Sequence, residues 1–167
     1  GSIVFATTIP LGSSHITSDV MKLLKTSPEE AERLKVSFGC AIAALTPPDD
    51  SIGVMQLGQI HERPMQRRVL CEIIESRAKE IATFVKQQLE RSGFYGILPA
   101  GVVLTGGGAK LEAMTSLFSD LLPGHKVRLV GPKVIGSTAV ESPEWTVAAG
   151  LARHVLENET ETISSVT

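Results

Sequence analysis

A chain of 167 residues with 43% hydrophobic side chains is long enough for one α/β domain or for two small subdomains sharing a core. Its 16 basic and 18 acidic residues leave a formal charge of -2, which supplies no broad positive field for a phosphate backbone and argues against nucleic acid as a partner. Cys40 and Cys71 lack the CxxC spacing of a zinc or redox site and suit a reduced, cytoplasmic setting, and no apolar run reaches the roughly 18 residues of a membrane span, nor do the first residues carry a signal-peptide pattern.

In chain order, residues 3–11 are rich in β-branched side chains and end at Gly12-Ser13-Ser14, which predicts a strand running into a polar turn. Thr17 or Ser18 is placed to cap a short helix over residues 19–25. A second helix is predicted to about Val36, with Ser27 as N-cap, Pro28 at the first helical position and Glu30 set for a capping box. From residue 37 to 60 short apolar runs alternate with breakers such as Pro47-Pro48-Asp49-Asp50 and Gly58, the pattern of two or three strands in a small sheet.

After Pro64, Leu70, Ile73, Ile74, Ile81, Phe84, Val85 and Leu89 recur at three- and four-residue steps, predicting one long amphipathic helix closed near Ser92-Gly93. At 1.5 Å per residue it would reach roughly 40 Å. Residues 101–105 read as a buried strand of a parallel sheet. Then come Gly106-Gly107-Gly108, a helix with Leu111, Met114, Leu117, Phe118 and Leu121 on one face, a stop at Pro123-Gly124, and a strand over 126–130. A last helix is expected from Ser142-Pro143-Glu144, with Val147, Leu151 and Val155 facing inward. From Glu157 the chain is polar and expected to fray, leaving 158–167 as a disordered tail.

The three glycines are the strongest chemical signal. A phosphate or sugar can come close to backbone only where no Cβ intervenes, and free N–H groups at a helix start point toward negative charge. The same glycines also serve a tight strand-to-helix turn without any ligand, and the turn alone leaves both readings open. The spacing is neither GxGxxG nor a P-loop, since no Lys-Ser/Thr follows. His15, His61, His125 and His154 are scattered without ligand spacing, so no metal site is expected.

The string Val102-Val103-Leu104-Thr105-Gly106-Gly107-Gly108-Ala109 resembles the adenosine motif of the superfamily that contains actin, the heat-shock chaperones and MreB. Ile9-Pro10-Leu11-Gly12, His15-Ile16-Thr17-Ser18-Asp19, Pro28-Glu29-Glu30-Ala31-Glu32-Arg33-Leu34-Lys35 and Gly39-Cys40-Ala41, with the terminal helix from Pro143, are similar in kind and order to the FtsA family of bacterial cell-division proteins. The resemblance implies an α/β fold, a lobe of the actin-like ATPase (ribonuclease H-like) type. Residues 1–27 and 97–157 would form a subdomain 2A truncated at its N-terminus, and 28–96 an inserted, smaller α+β subdomain 2B. It implies ATP or ADP with Mg in the complete protein. Glu32 and Lys35 would contact ribose and adenine, and Gly106, Gly107, Gly108 and Ala109 would face the ribose and α-phosphate from the other side. A carboxylate can accept from ribose hydroxyls and an ammonium can donate to them or to a ring nitrogen. Outside that family the same two residues would be an exposed i, i+3 pair worth a few tenths of a kcal/mol, on the order of 0.3.

Two departures from the family pattern matter. Gly12-Ser13 stands where the family has two glycines, and the phosphate-binding hairpins are missing from this sequence. Phosphoryl transfer depends on those groups, so no residue is assigned as catalytic, and the 167-residue chain is expected neither to hydrolyse ATP nor to hold nucleotide tightly alone.

The resemblance further implies a role in linking FtsZ filaments to the membrane at the division septum, and self-association of the parent into actin-like filaments. Arg63, Arg67, Arg68, Arg77 and Lys79 are by default a solvated face. Because the family docks the acidic FtsZ C-terminal tail on its smaller second subdomain, Arg67 and Arg77 become candidates to meet it. The family's membrane anchor is a short amphipathic helix, and residues 158–167 lack its faces. No direct membrane binding by this chain is expected, with the parent at the cytoplasmic face. Two alternatives stay open. One is a pilus-assembly or chaperone-type lobe of the same fold; the other is a stand-alone nucleotide-using enzyme, for which only Lys110 and Glu112 lie close to the turn in sequence.

Overall fold

The computed structural model describes the backbone of residues 3–134, 138 and 140–164, with side chains as far as Glu157. Helix α1, Ser13–Leu24, buries Ile16, Val20 and Leu24 along one face. It starts well before the cap expected at Thr17 or Ser18, because the Gly12 N–H donates to His15 Nδ1 at 3.2 Å and closes the first turn there. Lys25, at φ 53°, ends it in the left-handed region.

Helix α2, Pro28–Phe38, is capped as predicted: Ser27 accepts from the Glu30 N–H at 3.2 Å and Pro28 holds the first position. Glu30 does not complete the box; its carboxylate takes Arg33 instead, at 2.6 and 2.7 Å. The helix passes Val36 by two residues and stops at Gly39, where a Cβ would lie 2.3 Å from the Lys35 carbonyl oxygen.

Residues 37–60 contain one strand, not two or three. Strand β1, Ser51–Val54, pairs antiparallel with β2, Arg63–Gln66. Pro47 and Pro48 carry no N–H for a ladder, and the stretch before them folds as a 3₁₀ turn over Ala43–Leu45, with an isolated bridge from Cys40 to Glu112. Helix α3, Arg67–Arg91, is the predicted long helix, and it closes at Ser92 with Gly93 at φ +75°. It buries Leu70, Cys71, Ile74, Ala78 and Ala82 and packs against α1 and α2.

Strand β3, Val102–Leu104, and strand β4, Val127–Leu129, form the expected parallel pair, in register Val102↔Val127 to Leu104↔Leu129, but β3 is not buried: Val103 is 45% exposed, because among the described residues the sheet has only these two strands. Between them run the glycines, a 3₁₀ turn over Gly107–Lys110, and helix α4, Met114–Leu121, which buries Met114, Leu117 and Phe118. Ile16, Leu34, Leu70, Ile74, Leu117 and Phe118 belong to one continuous apolar cluster. That cluster fixes the relative positions of α1, α2 and the glycine turn.

Both ends depart from expectation. Residues 3–11 pair with no strand, and Ile3 and Val4 are 86% and 75% exposed; β-branched side chains favour a pleated surface only where a neighbour covers it. The last helix does open at Pro143–Trp145 and continues as α5, Thr146–Ser164. Val147, Leu151 and Val155 are outward, not inward, at 72%, 63% and 54% exposure, since no described element packs on that face. The backbone stays helical to Ser164, past the expected fraying point, in a stretch without Gly or Pro after Gly150. Residues 165–167 of the expected tail lie outside the described ones. Among the described residues no helix is long and apolar enough to cross a membrane.

Candidate functional site

Helix α2 sets Glu32 and Lys35 one turn apart on the face turned to α1. Lys35 is almost wholly buried, at 7% exposure, and its ammonium is held by two oxygens, Glu32 Oε2 at 2.7 Å and Thr17 Oγ1 at 2.9 Å. The Thr17 hydroxyl lies 2.5 Å from the same Glu32 Oε2 and 3.2 Å from the Ser13 carbonyl oxygen. Its single proton belongs to the shorter, charge-assisted bond. Partial burial pulls the Glu32 carboxyl upward, but the hydrogen bonds from Lys35 and Thr17, with the Lys35 charge, outweigh it and hold the group below its ordinary range. The pair is therefore no loose surface ion pair.

The three glycines differ in what the fold requires of them. Gly106 sits at φ +88° and donates its N–H to the Pro143 carbonyl oxygen at 3.0 Å, so it is the hinge of the turn. Gly108 touches the first residue of α1: a Cβ there would stand 2.9 Å from Ser13 Cβ. Gly107 needs neither an unusual φ nor close packing, since its nearest neighbour would be Glu144 Cβ at 3.8 Å. Fold geometry therefore leaves room for a side chain at Gly107.

These groups converge. A cavity of about 480 Å³ is lined by Glu32, Lys35, Gly39, Gly107, Gly108 and Lys110, among others, within the usual ~300–1,000 Å³ of small-molecule sites. A second cavity, of about 410 Å³, adjoins it and shares Ser13, Glu32 and Lys35. The structure thus brings Glu32 and Lys35 together with Gly107 and Gly108. Gly106 and Ala109 do not line the first cavity; Ala109 lines a smaller neighbouring one with Ser13 and Gly108.

Sequence reading did not single out the rim. Lys110 Nζ lies 3.0 Å from Glu144 Oε1, and Ser142 Oγ donates to Glu144 Oε2 at 2.5 Å. The Ser142 hydroxyl, the backbone N–H of Glu144 and Lys110 together pull the Glu144 carboxyl down to about 2. Thr105 and Thr146 hydroxyls, 2.6 Å apart, tie the same two segments beneath. The sequence marks Lys110 only by its place beside the turn. Thr17 and Glu144 stand 15 and 34 residues from their partners, and no local pattern announces such pairs.

Arg67 and Arg77 are engaged within the molecule. Arg67 donates to the Phe38 carbonyl oxygen at 2.7 Å, to Asp50 at 3.2 Å and to Glu112 at 2.5 Å. Arg77 grips Asp19 through both oxygens, at 2.6 and 3.1 Å, and also reaches Glu80. Arg68 and Lys79 pair with Glu72 and Glu75 one turn away, so the basic run is largely neutralised. Cys40 and Cys71 are buried free thiols whose pKa values burial pushes up, which suits inert packing.

A family model described as "Cell division protein FtsA" matches residues 1–150. The chain is similar to the cell division protein FtsA of Pseudomonas aeruginosa, 33% identical over 166 residues, 98% of this chain and 40% of that protein. It is 34% identical to that of Bacillus subtilis over 158 residues, 95% of this chain and 35% of the relative. Against that of Escherichia coli strain K12 it is 30% identical over 167 residues, 95% and 40% of the two. The chain thus spans 40% or less of the length of these relatives. Among solved structures it is similar to the crystal structure of MreB5 of Spiroplasma citri bound to ADP, with a TM-score of 0.68 and 16% identity over 96% of this chain and 50% of that one. The fold is accordingly the expected α/β fold of an actin-like ATPase lobe.

Proposed function

The chain belongs to the FtsA family of cell division proteins, and we propose that it forms the nucleotide-facing lobe of a protein that binds ATP or ADP. The observation that carries this reading is the meeting of Glu32 and Lys35 with Gly107 and Gly108 around one cavity. Glu32 would accept from ribose hydroxyls and Lys35 would donate to the ribose or base. Gly107 and Gly108 would let the sugar and α-phosphate approach the backbone, with Gly106 and Ala109 shaping the turn. Residues 28–96 carry the first pair and 97–157 the second, which fits a site between subdomains 2B and 2A. ATP, when bound, would supply a triphosphate whose β- and γ-groups need positioning and charge stabilisation; the accompanying Mg is assigned to none of these residues.

In the whole protein, nucleotide-dependent self-association into actin-like filaments would link FtsZ filaments to the membrane at the septum. The family membership supports this role. Arg67 and Arg77 lend it little, because both guanidinium groups are already satisfied by carboxylates. The pilus-assembly and chaperone-type alternatives receive no specific observation in their favour.

Nucleotide binding by the full-length protein tests the site. Calorimetric titration with ADP should show a loss of at least about tenfold in Gly107→Val and in Glu32→Ala, the worth of one charged hydrogen bond or one blocked approach. Unchanged affinity in both variants refutes the assignment.

A further inference from the structure

Glu32 stands between two adjoining cavities and lines both. Its Oε2 takes the Lys35 ammonium and the Thr17 hydroxyl, at 2.7 and 2.5 Å, while Oε1 has no hydrogen bond among the described residues. The carboxylate is half exposed, at 51% of its side-chain surface, and a half-exposed glutamate on a helix would ordinarily sample several rotamers. Here it is pinned through one oxygen with the other left over.

We infer that Thr17 is a positioning residue of the nucleotide site: its hydroxyl fixes Glu32 by Oε2 so that Oε1 is presented to the ribose hydroxyls. The same hydroxyl accepts from Lys35 Nζ at 2.9 Å. Thr17, Glu32 and Lys35 therefore close a ring of three hydrogen bonds joining α1 to α2, and the ring leaves one of the three ammonium protons uncommitted. A carboxylate oxygen and an ammonium proton, both held by one threonine, suit a vicinal diol flanked by an acceptor. Thr17 is also kept in place, since α1 buries its neighbour Ile16 and starts against the glycine turn, where Ser13 meets Gly108. A valine there would keep the shape and β-branching and lose only the hydroxyl.

This inference rests on the nucleotide reading, and the test separates the two. Full-length protein is titrated with ADP and with 2′,3′-dideoxy-ADP, and the ratio of the two affinities is measured for wild type, Thr17→Val, Thr17→Ala, Thr17→Ser and Glu32→Ala. Wild type and Thr17→Ser are expected to prefer ADP by about tenfold or more, the value of a charge-assisted hydrogen bond. Thr17→Val, Thr17→Ala and Glu32→Ala should bind the two ligands nearly alike. If Thr17→Val and Thr17→Ala keep the wild-type ratio while Glu32→Ala loses it, Thr17 has no positioning role and the nucleotide reading stands. The positioning role is likewise overturned if the Thr17 variants weaken both ligands equally, as a purely structural residue would. If Glu32→Ala binds ADP as wild type does, Glu32 does not meet the ribose and the positioning role falls; if Gly107→Val does so as well, the nucleotide reading falls with it.

Discussion

Lys110 Nζ and Glu144 Oε1 stand 3.0 Å apart across the rim of the central cavity, joining the turn that follows the glycines to the segment that starts the last helix. The pair closes a loop that Gly106 N–H to Pro143 O, 3.0 Å, begins from the backbone side. The entrance to the site is thus held from both segments.

The rim is expected to be acid-sensitive in a defined window. Glu144 falls from an ordinary value of 4.5 to about 2 in the folded protein, so its contribution is present above the unfolded value and is lost as pH falls from 4.5 toward 2. Carboxyl titration by NMR should show Glu144 rising toward its ordinary range in Lys110→Ala and in Ser142→Ala. Glu144→Gln should flatten that part of the stability profile.

The glycines should separate by mechanism. Gly106 combines φ 88° with ψ 165°, an extended region essentially restricted to glycine, so Gly106→Ala is expected to cost about 1–3 kcal/mol. Gly108→Ala meets Ser13 Cβ at 2.9 Å and should destabilise by about 1–3 kcal/mol, with Ser13→Gly restoring most of the loss. Gly107→Ala should melt within ~0.5 kcal/mol of wild type on the same denaturation curves, because its Cβ has room.

Arg77 joins α3 to α1 through Asp19 over 58 residues of sequence, and Arg67 holds the α2 C-terminus through the Phe38 carbonyl oxygen. Arg67→Ala should destabilise by about 1–3 kcal/mol, since that carbonyl loses its charged donor. Arg77→Ala, whose guanidinium is itself more exposed (26% against 18% for Arg67) and holds no backbone carbonyl, should lower the melting temperature by a smaller amount. Titration of an FtsZ tail peptide against folded Arg67→Ala and Arg77→Ala protein should give affinities close to wild type.

Core and surface substitutions should differ sharply in the same assay. Leu34→Ala and Ile74→Ala remove fully buried side chains and are expected to cost about 2–5 kcal/mol each. Val147→Ala, 72% exposed on α5, should stay within ~0.5 kcal/mol.

Ser27 and Pro28 opening α2, the apolar recurrence through α3, and the glycines between β3 and α4 were all legible from neighbouring residues. The clearest departures had one cause. Residues 3–11 and the valine and leucine face of α5 have the composition of buried elements, yet nothing described packs on them, and composition cannot report what lies opposite. Residues 37–60 alternate like strands, but Pro47 and Pro48 deny the ladder its donors and the chain turns instead.

At the site, sequence alone determined the residue types: a carboxylate and an ammonium one helical turn apart, and three glycines after a short apolar strand. Those features depend on local backbone geometry, which spacing encodes. Tertiary structure decided that they share a cavity, that Thr17 locks Glu32 and Lys35, and that Arg67 and Arg77 are bound internally. Each of those outcomes depends on distances between helices set by the packing of Ile16, Leu34, Ile74 and Phe118 in one core, and no run of neighbouring residues carries that information.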